Sequence, residues 1–298
     1  MRELSDIVAE LEATLGASEG EASALQGGIT NRNFRLALGG SDYVIRLHGR
    51  ATELLGIDRT SERIATQAAA ELGLAPPIAA AGEDYLVTRY IPCCALDEQA
   101  VRAEAEQLGA ALRRFHDSHV QLPSRFSVPA LLERYAERVR QRAGVLPEAY
   151  LQAQALIARI AAALPAVQER PCHNDLLPGN IIRARERDRL MIVDWEYAGM
   201  GDPRFDLGNL AVNNGFDSER EQRLLSSYLG RPPGERERAS LSVMRLASDA
   251  REAAWGVMQG VLSDLDFDFE AYAREHFQRL LAAAAQPAFE ERLALLAV

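Results

Sequence analysis

Lysine is missing from this 298-residue chain, and all 33 of its Lys-plus-Arg positions are arginine. Apart from its five histidines, any cation built into the fold must therefore be a guanidinium, a planar fork of donors rather than a compact point charge. Cysteine is scarce as well. Cys93, Cys94 and Cys172 offer neither a spaced disulfide framework nor a zinc-ligand pattern, which excludes a bridge-stapled scaffold and leaves free thiols, Cys172 being read as core packing. No apolar run reaches the roughly twenty residues that a membrane helix needs. The opening MRELSDIVAELEATLG reads as a charged amphipathic helix and not as a leader. Positive charge is not in excess either: the net charge is −10, and binding a phosphate backbone needs clustered basic residues. These absences predict a cytoplasmic protein with no nucleic-acid and no membrane partner, whose acidic surface favours a cationic small molecule. Composition leaves the oligomeric state open, a dimer included.

What is present suffices for a full core, with 48% hydrophobic and 26% charged residues. From about Leu25 to Tyr90 the chain reads as short strands and one helix. LQGGITNRNFRLAL and SDYVIRLHG pair across a Gly39-Gly40 turn, RTSERIATQAAAELG has helical apolar spacing with a glycine stop, and YLVTRYI is a compact strand. Beyond Ile91–Leu96 helical patterns dominate, over 97–119, 129–142, 148–164, 218–229, 236–264 and 269–285, with loop and short strands between Arg170 and Asp194. This is an α+β chain in two lobes: residues 1–93 form a small N-terminal lobe of antiparallel sheet plus helix, and residues 94–298 a large, mostly helical C-terminal lobe.

The most informative run is His173 to Asn180, HNDLLPGN, followed by Asp194 in MIVDWEYAG. Alone, a His-Asn-Asp run fits a polar turn, and a lone aspartate after a strand fits a helix cap. In this order and spacing they match a phosphoryl-transfer pattern, H-x-D-L-x-x-x-N followed by a strand-end aspartate. That pattern makes Asp175 the base that accepts a hydroxyl proton and Asn180 and Asp194 the ligands of magnesium. His173 then orders the loop, and Glu196 supports metal or substrate.

ATP is the implied co-substrate. Gly27–Phe34, GGITNRNF, lies where a phosphate-covering loop belongs: Gly28 lets backbone amides approach phosphate, and Thr30 and Asn31 add polar contacts. In the strand YVIRLHG, Arg46 is the basic residue flanked by apolar ones and is the candidate phosphate-holding cation; Arg32, Arg35 and Arg50 compete for the role. A buried Arg46 needs a carboxylate, and Glu62 on the next helix is the natural partner. Adenine would meet the connecting segment from Arg89 to Ile91.

With these residues quoted, the chain resembles the choline/ethanolamine kinase branch of the aminoglycoside-phosphotransferase-like kinases. The resemblance extends from GGITNRNF and YVIRLHG through DRTSER, HNDLLPGN, VDWEYAG and GDPRFDLGNL to EAAWGVMQG and DFDFEAYAREHF. It implies a bilobal protein-kinase-like fold and an ATP- and magnesium-dependent transfer to the hydroxyl of a small amino alcohol, choline or ethanolamine. Tyr197, Trp255 and Tyr272 fall where the branch holds a quaternary ammonium against aromatic faces. Met258 stands where the eukaryotic members carry a second tryptophan, and Asn213 where an acidic residue is expected. Thiamine kinases and aminoglycoside phosphotransferases share the motif set. A catalytically inactive, small-molecule-binding module of the same fold is the alternative of a different class.

Overall fold

The computed structural model describes residues 2–25, 31–49, 52–185, 189–263 and 265–297. Helix α1 (Leu4–Leu15) buries Ile7 and Leu11, one turn apart, against a five-stranded antiparallel sheet. The strands are β1 (Ser18–Leu25), β2 (Arg32–Leu38), β3 (Ser41–Leu47), β4 (Ile78–Ala81) and β5 (Tyr85–Arg89), ordered β1-β2-β3-β5-β4. Gly39 and Gly40, with φ of 53° and 76°, close the two-residue turn between β2 and β3, a geometry that glycine adopts without steric cost. Period-two alternation decides which face of β3 each side chain meets. Tyr43, Ile45 and Leu47 enter the core beneath α1, so Val44 and Arg46 face the opposite side. On that side lies α2 (Arg59–Glu71), capped by Asp58, whose carboxylate accepts from the Thr60 and Ser61 amides.

The chain then runs through β6 (Cys93–Ala95), α3 (Glu98–Ala103), α4 (Ala105–His116), α5 (Val128–Gln141) and α6 (Glu148–Ala163). Short strands follow: β7 (Arg170–Cys172), β8 (Ile181–Ala184), β9 (Arg189–Ile192) and β10 (Gly199–Gly201). The last helices are α7 (Pro203–Asn213), α8 (Ser218–Leu229), α9 (Glu235–Leu262), α10 (Phe269–Ala284) and α11 (Pro287–Leu296). Strands β6, β8 and β9 make one small sheet, and β7 with β10 another. The 28-residue α9 is the axis of the helical part: α5, α6, α10 and α11 share one apolar core with it, and α7 and α8 a second core with α2 and α4. Gly208 lets α7 approach α9 closely, since a Cβ there would lie 2.6 Å from the Met244 backbone. No helix among the described residues is long and apolar enough to cross a membrane.

Sheet, turn and most helices fall where the sequence pattern places them. Several elements do not, among them α11, β6 and β10, for which no helix or strand was expected. The single helix expected over 97–119 breaks at Glu104 into α3 and α4. Strand β1 begins at Ser18, because SEGEASAL is a largely exposed edge strand with no apolar alternation to reveal it. Helix α7 was not expected at all: Phe205 to Val212 are buried all round, so its sequence carries no amphipathic period.

Candidate active site

A cavity of about 670 Å³ lies between the five-stranded sheet and the helical part, and both sequence motifs open onto it. One end is lined by Val44, Ala75, Leu86, Tyr90, Ile91 and Ile182, a flat apolar slot beside the connection from β5 to β6. Arg89 also lines it and lays its guanidinium 5.2 Å from the Tyr43 ring centroid. The other end is walled by Tyr197, Trp255 and Tyr272, with Asp175, Asn180 and Asp194 between the two.

The loop from His173 to Asn180 is held from below by buried side chains of α4 and α7. Asp206 accepts the His173 amide at 2.8 Å and the Asn174 amide at 2.7 Å, and His116 Nε2 donates to it at 3.0 Å. Burial alone would push the Asp206 carboxyl up; the His116 hydrogen bond and charge and the His173 amide hold it below the usual carboxylate range. Asn209 accepts the Leu176 amide while its Nδ2 donates to Ser248 on α9 at 2.9 Å, and Asn214 Nδ2 donates to the Leu176 carbonyl at 3.1 Å. His173 Nε2 donates to the Val193 carbonyl at 3.0 Å, and its Nδ1 accepts the Asp175 amide at 3.2 Å. These partners fix a neutral imidazole, in keeping with burial that lowers its proton affinity. Trp195 packs edge-on at 4.6 Å against that ring.

Asn174 and Asp194 both have positive φ, 68° and 64°. Such left-handed backbone is uncommon outside glycine and concentrates where surrounding structure enforces it at functional sites. The Val193 amide donates to the Asn180 carbonyl at 2.9 Å, which brings Asn180 alongside Asp194. Asn180 Nδ2 donates to the Asp175 carbonyl oxygen at 2.8 Å and to Asp175 Oδ2 at 3.2 Å. With Nδ2 spent, Asn180 offers Oδ1, and together with the Asp194 carboxylate this is a set of hard oxygen donors that fits magnesium. Burial first, then the neighbouring Glu252 and Asp194 charges, raise Asp175 to about 7, with Arg251 opposing them. Burial and then Asp194 raise Glu196 to about 8.

Arg46 reaches from β3 into this acidic group, with Nη1 at 3.0 Å from Glu62 Oε1 and 2.7 Å from Asp194 Oδ1. Burial works against its charge, yet Asp194 and Glu62 hold the guanidinium above its ordinary range. The competing Arg32 is exposed, and Arg35 pairs with Asp42 at 2.7 Å. A second cation, Arg59, was not anticipated: Nη1 lies 2.7 Å from Glu62 and 3.3 Å from Glu196. Asn31 is buried, its amide donating to Glu196 at 2.8 Å and its oxygen accepting from Arg59 at 3.1 Å. Gly28, Thr30 and Arg50, also singled out from sequence, lie outside the described residues.

At the aromatic end Trp255 Nε1 donates to the Tyr197 hydroxyl at 3.0 Å, and the Trp255 and Tyr272 rings stand 5.6 Å apart, edge to face. Gly256 permits this, since a Cβ there would come 3.0 Å from Ala273 of α10. Met258 is fully buried in the helical core. Two charged residues join this wall that sequence reasoning missed, Arg251 and Glu252, with exposures of 2% and 1%. The signal was present: Asp249, Arg251 and Glu252 stand in the run ASDAREAAWGVM, whose other residues are small or apolar.

The sequence profile of the phosphotransferase enzyme family matches residues 21–241. Protein LicA of Haemophilus influenzae is 29% identical over 214 residues, 68% of this chain and 61% of that relative's length. Ethanolamine kinase 2 of Mus musculus is 28% identical over 267 residues, 79% of this chain and 68% of that protein. A crystal structure of a choline/ethanolamine kinase family protein from Mesorhizobium loti superimposes with a TM-score of 0.81 at 28% identity, covering 97% of this chain and 98% of that one. The bilobal kinase-like fold is thereby shared, and since the matched profile spans both motifs and most of the cavity wall, the chain belongs to the phosphotransferase enzyme family.

Proposed function

We propose that the protein is an ATP- and magnesium-dependent kinase that phosphorylates the hydroxyl of a small cationic amino alcohol, choline or ethanolamine. Residues 1–93 would hold the nucleotide, and residues 94–298 the catalytic and acceptor groups. The observation that carries this reading is the shared cavity in which Asp175 stands between an aromatic wall and the Asn180–Asp194 oxygen pair. The names of the mouse and Mesorhizobium relatives support the same acceptor class.

Adenine would occupy the apolar slot beside Tyr90 and Ile91, and Arg46, already anchored by Glu62, would meet phosphate oxygens. Asn180 and Asp194 would hold magnesium, which when bound offsets charge on the phosphates. The acceptor's ammonium rests against Trp255 and Tyr272, which a quaternary nitrogen requires because it has no hydrogen to donate. Its hydroxyl then approaches Asp175. The hydroxyl oxygen forms the new bond to the γ-phosphorus, its proton passes to the Asp175 carboxylate, and the bond to the β-phosphate oxygen breaks to release ADP. No group of the protein is phosphorylated, so the rate rests on positioning and charge.

The test is ADP release over choline, ethanolamine, thiamine and an aminoglycoside. Turnover is expected with choline or ethanolamine, and Asp175→Asn should lower kcat at least about a hundredfold, the low end for loss of a general base. Near wild-type turnover by Asp175→Asn would show the base to be misassigned.

A further inference from the structure

Arg251 is the least expected residue of the cavity wall. Its side chain is 2% exposed, and a single nitrogen, Nη1, serves two carboxylates, Asp175 Oδ1 at 3.0 Å and Glu252 Oε1 at 2.8 Å. Its Nε and Nη2 are buried without a hydrogen-bond partner, and the guanidinium carbon stands 4.4 Å from the centroid of the Tyr197 ring. As a source of stability this is a poor arrangement, because a buried cation with unmet donors is commonly outdone by an apolar side chain of similar volume. Its value must lie in what it holds.

We propose that Arg251 is a positioning residue: it fixes the Asp175 carboxylate and, through Glu252, ties it to the hydroxyl of Tyr272 in the acceptor wall. The inference rests on the kinase reading above, in which Asp175 is the base. Three hydrogen bonds form the chain, since the Tyr272 hydroxyl donates to Glu252 Oε2 at 2.8 Å, Arg251 Nη1 donates to Glu252 Oε1, and the same nitrogen donates to Asp175 Oδ1. Asn180 takes Oδ2 of Asp175 at 3.2 Å, so each carboxylate oxygen has its own anchor and the plane of the base is set. Both oxygens of Glu252 are engaged as well. Glu252 therefore acts as the link between wall and base rather than as a free counter-ion for the acceptor. Arg251 also offsets the repulsion that two buried carboxylates would feel if left facing one another. An alcohol seated against Trp255 and Tyr272 thus bears, through three side chains, on the group that must take its proton.

The experiment is a double-mutant cycle on the full-length protein, using the acceptor that the wild type turns over. Arg251→Met should lower kcat by about a hundredfold, the cost of a displaced reacting group, with KM for ATP almost unchanged. Tyr272→Phe keeps the ring and removes the hydroxyl; kcat should fall several-fold while the acceptor KM holds. Combined, the two should be no slower than Arg251→Met by more than about twofold, because residues of one hydrogen-bonded chain are not additive. Millimolar guanidinium should restore part of the rate of Arg251→Ala. Should the Arg251 variants fail to fold, Glu252→Gln with Tyr272→Phe gives the same cycle. Additive losses, or Tyr272→Phe at wild-type kcat, would overturn the proposal alone. Absence of turnover of every alcohol by the wild type would overturn the kinase reading and this inference with it.

Discussion

Replacing Asp206 by alanine removes the one carboxylate on which the catalytic loop is hung. The wild-type side chain is fully buried and accepts from three donors: the His173 amide, the Asn174 amide and His116 Nε2. Each donor left unmet in the interior costs about 1–3 kcal/mol. Partial relaxation keeps the sum below three full penalties, near the roughly 3–5 kcal/mol found when one member of a buried pair is removed. A loss of about 4 kcal/mol at about 2–4 °C per kcal/mol for a chain of this size lowers the melting temperature by about 8–16 °C. The same change frees the Asn174 backbone from its φ of 68°, so the loop carrying Asp175 relaxes and kcat falls even where the protein remains folded. Calorimetric melting at neutral pH measures the first effect and steady-state turnover at low temperature the second. Asp217→Ala is the control. That exposed aspartate caps α8 by accepting the Arg220 amide and touches no part of the cavity, so its shift should be much smaller. If Asp206→Ala melted within about 3 °C of wild type, the three bonds would not hold the loop and the energetic argument would fail.

The other predictions concern the two ends of the cavity and two buried imidazoles, His173 and His48. Arg46→Ala leaves Glu62 and Asp194 without their shared cation; nucleotide affinity measured by titration should fall at least about tenfold, against little change for the exposed Arg32→Ala. Equal losses in the two variants would refute a phosphate-holding role. Trp255→Ala should raise the acceptor KM by about thirtyfold, the equivalent of a desolvated cation–π contact of about 2 kcal/mol, and leave KM for ATP alone. A matching loss for an uncharged alcohol would reduce Trp255 to a packing residue. Burial lowers the proton affinity of His173 and His48, so over the interval between folded and unfolded values the unfolded chain binds more protons. Their stabilisation is complete above the unfolded pKa of about 6.5 and is lost as pH falls through the folded values. Asp175 and Glu196, raised to about 7 and 8, act in the opposite sense over the same range, so the test is a difference: the gap in urea midpoint between wild type and His173→Gln should narrow on acidification below about pH 6.5, and a gap that stayed constant or widened would contradict the neutral assignment.

How far this could be read from the chain depended on whether a residue's role left a local trace. Strands β2 and β3 announce themselves through alternation and a Gly-Gly turn, and that alternation already sends Arg46 to the face opposite Tyr43, Ile45 and Leu47. HNDLLPGN and the aspartate after β9 are contiguous patterns with a chemical reason for each residue. Asp206, His116 and Arg59 carry no such reason in their own stretch, although GDPRFDLGNL and DRTSER, which contain Asp206 and Arg59, are among the runs that carry the family resemblance. Asp206 stands 32 positions from the amide of Asn174 that it accepts, and Arg59 reaches across 137 positions to Glu196. Only the folding of α7 beneath the loop, and of α2 against the sheet, turns an ordinary Asp and an ordinary helix-start Arg into parts of the site. The burial that hides α7 from periodicity is the same burial that makes Asp206 an effective anchor.

The missing lysine is legible in the same terms. Arg46 joins Glu62 to Asp194, Arg59 joins Glu62 to Glu196 and Asn31, and Arg251 joins Asp175 to Glu252. In each case one buried or half-buried cation spans acids contributed by separate parts of the chain. An ammonium could neutralise such acids, but its charge is compact and strongly hydrated, and it surrenders its proton more readily when buried. A guanidinium keeps its charge there and presents donors along fixed directions, so it sets distances between carboxylates as well as balancing them. For a reaction that depends on where a hydroxyl, a base and a phosphate chain stand relative to one another, that geometric property is the useful one. It follows that Arg→Lys changes at positions 46 and 251 should preserve charge and still lose rate, the loss tracing to misplaced acids rather than to absent positive charge.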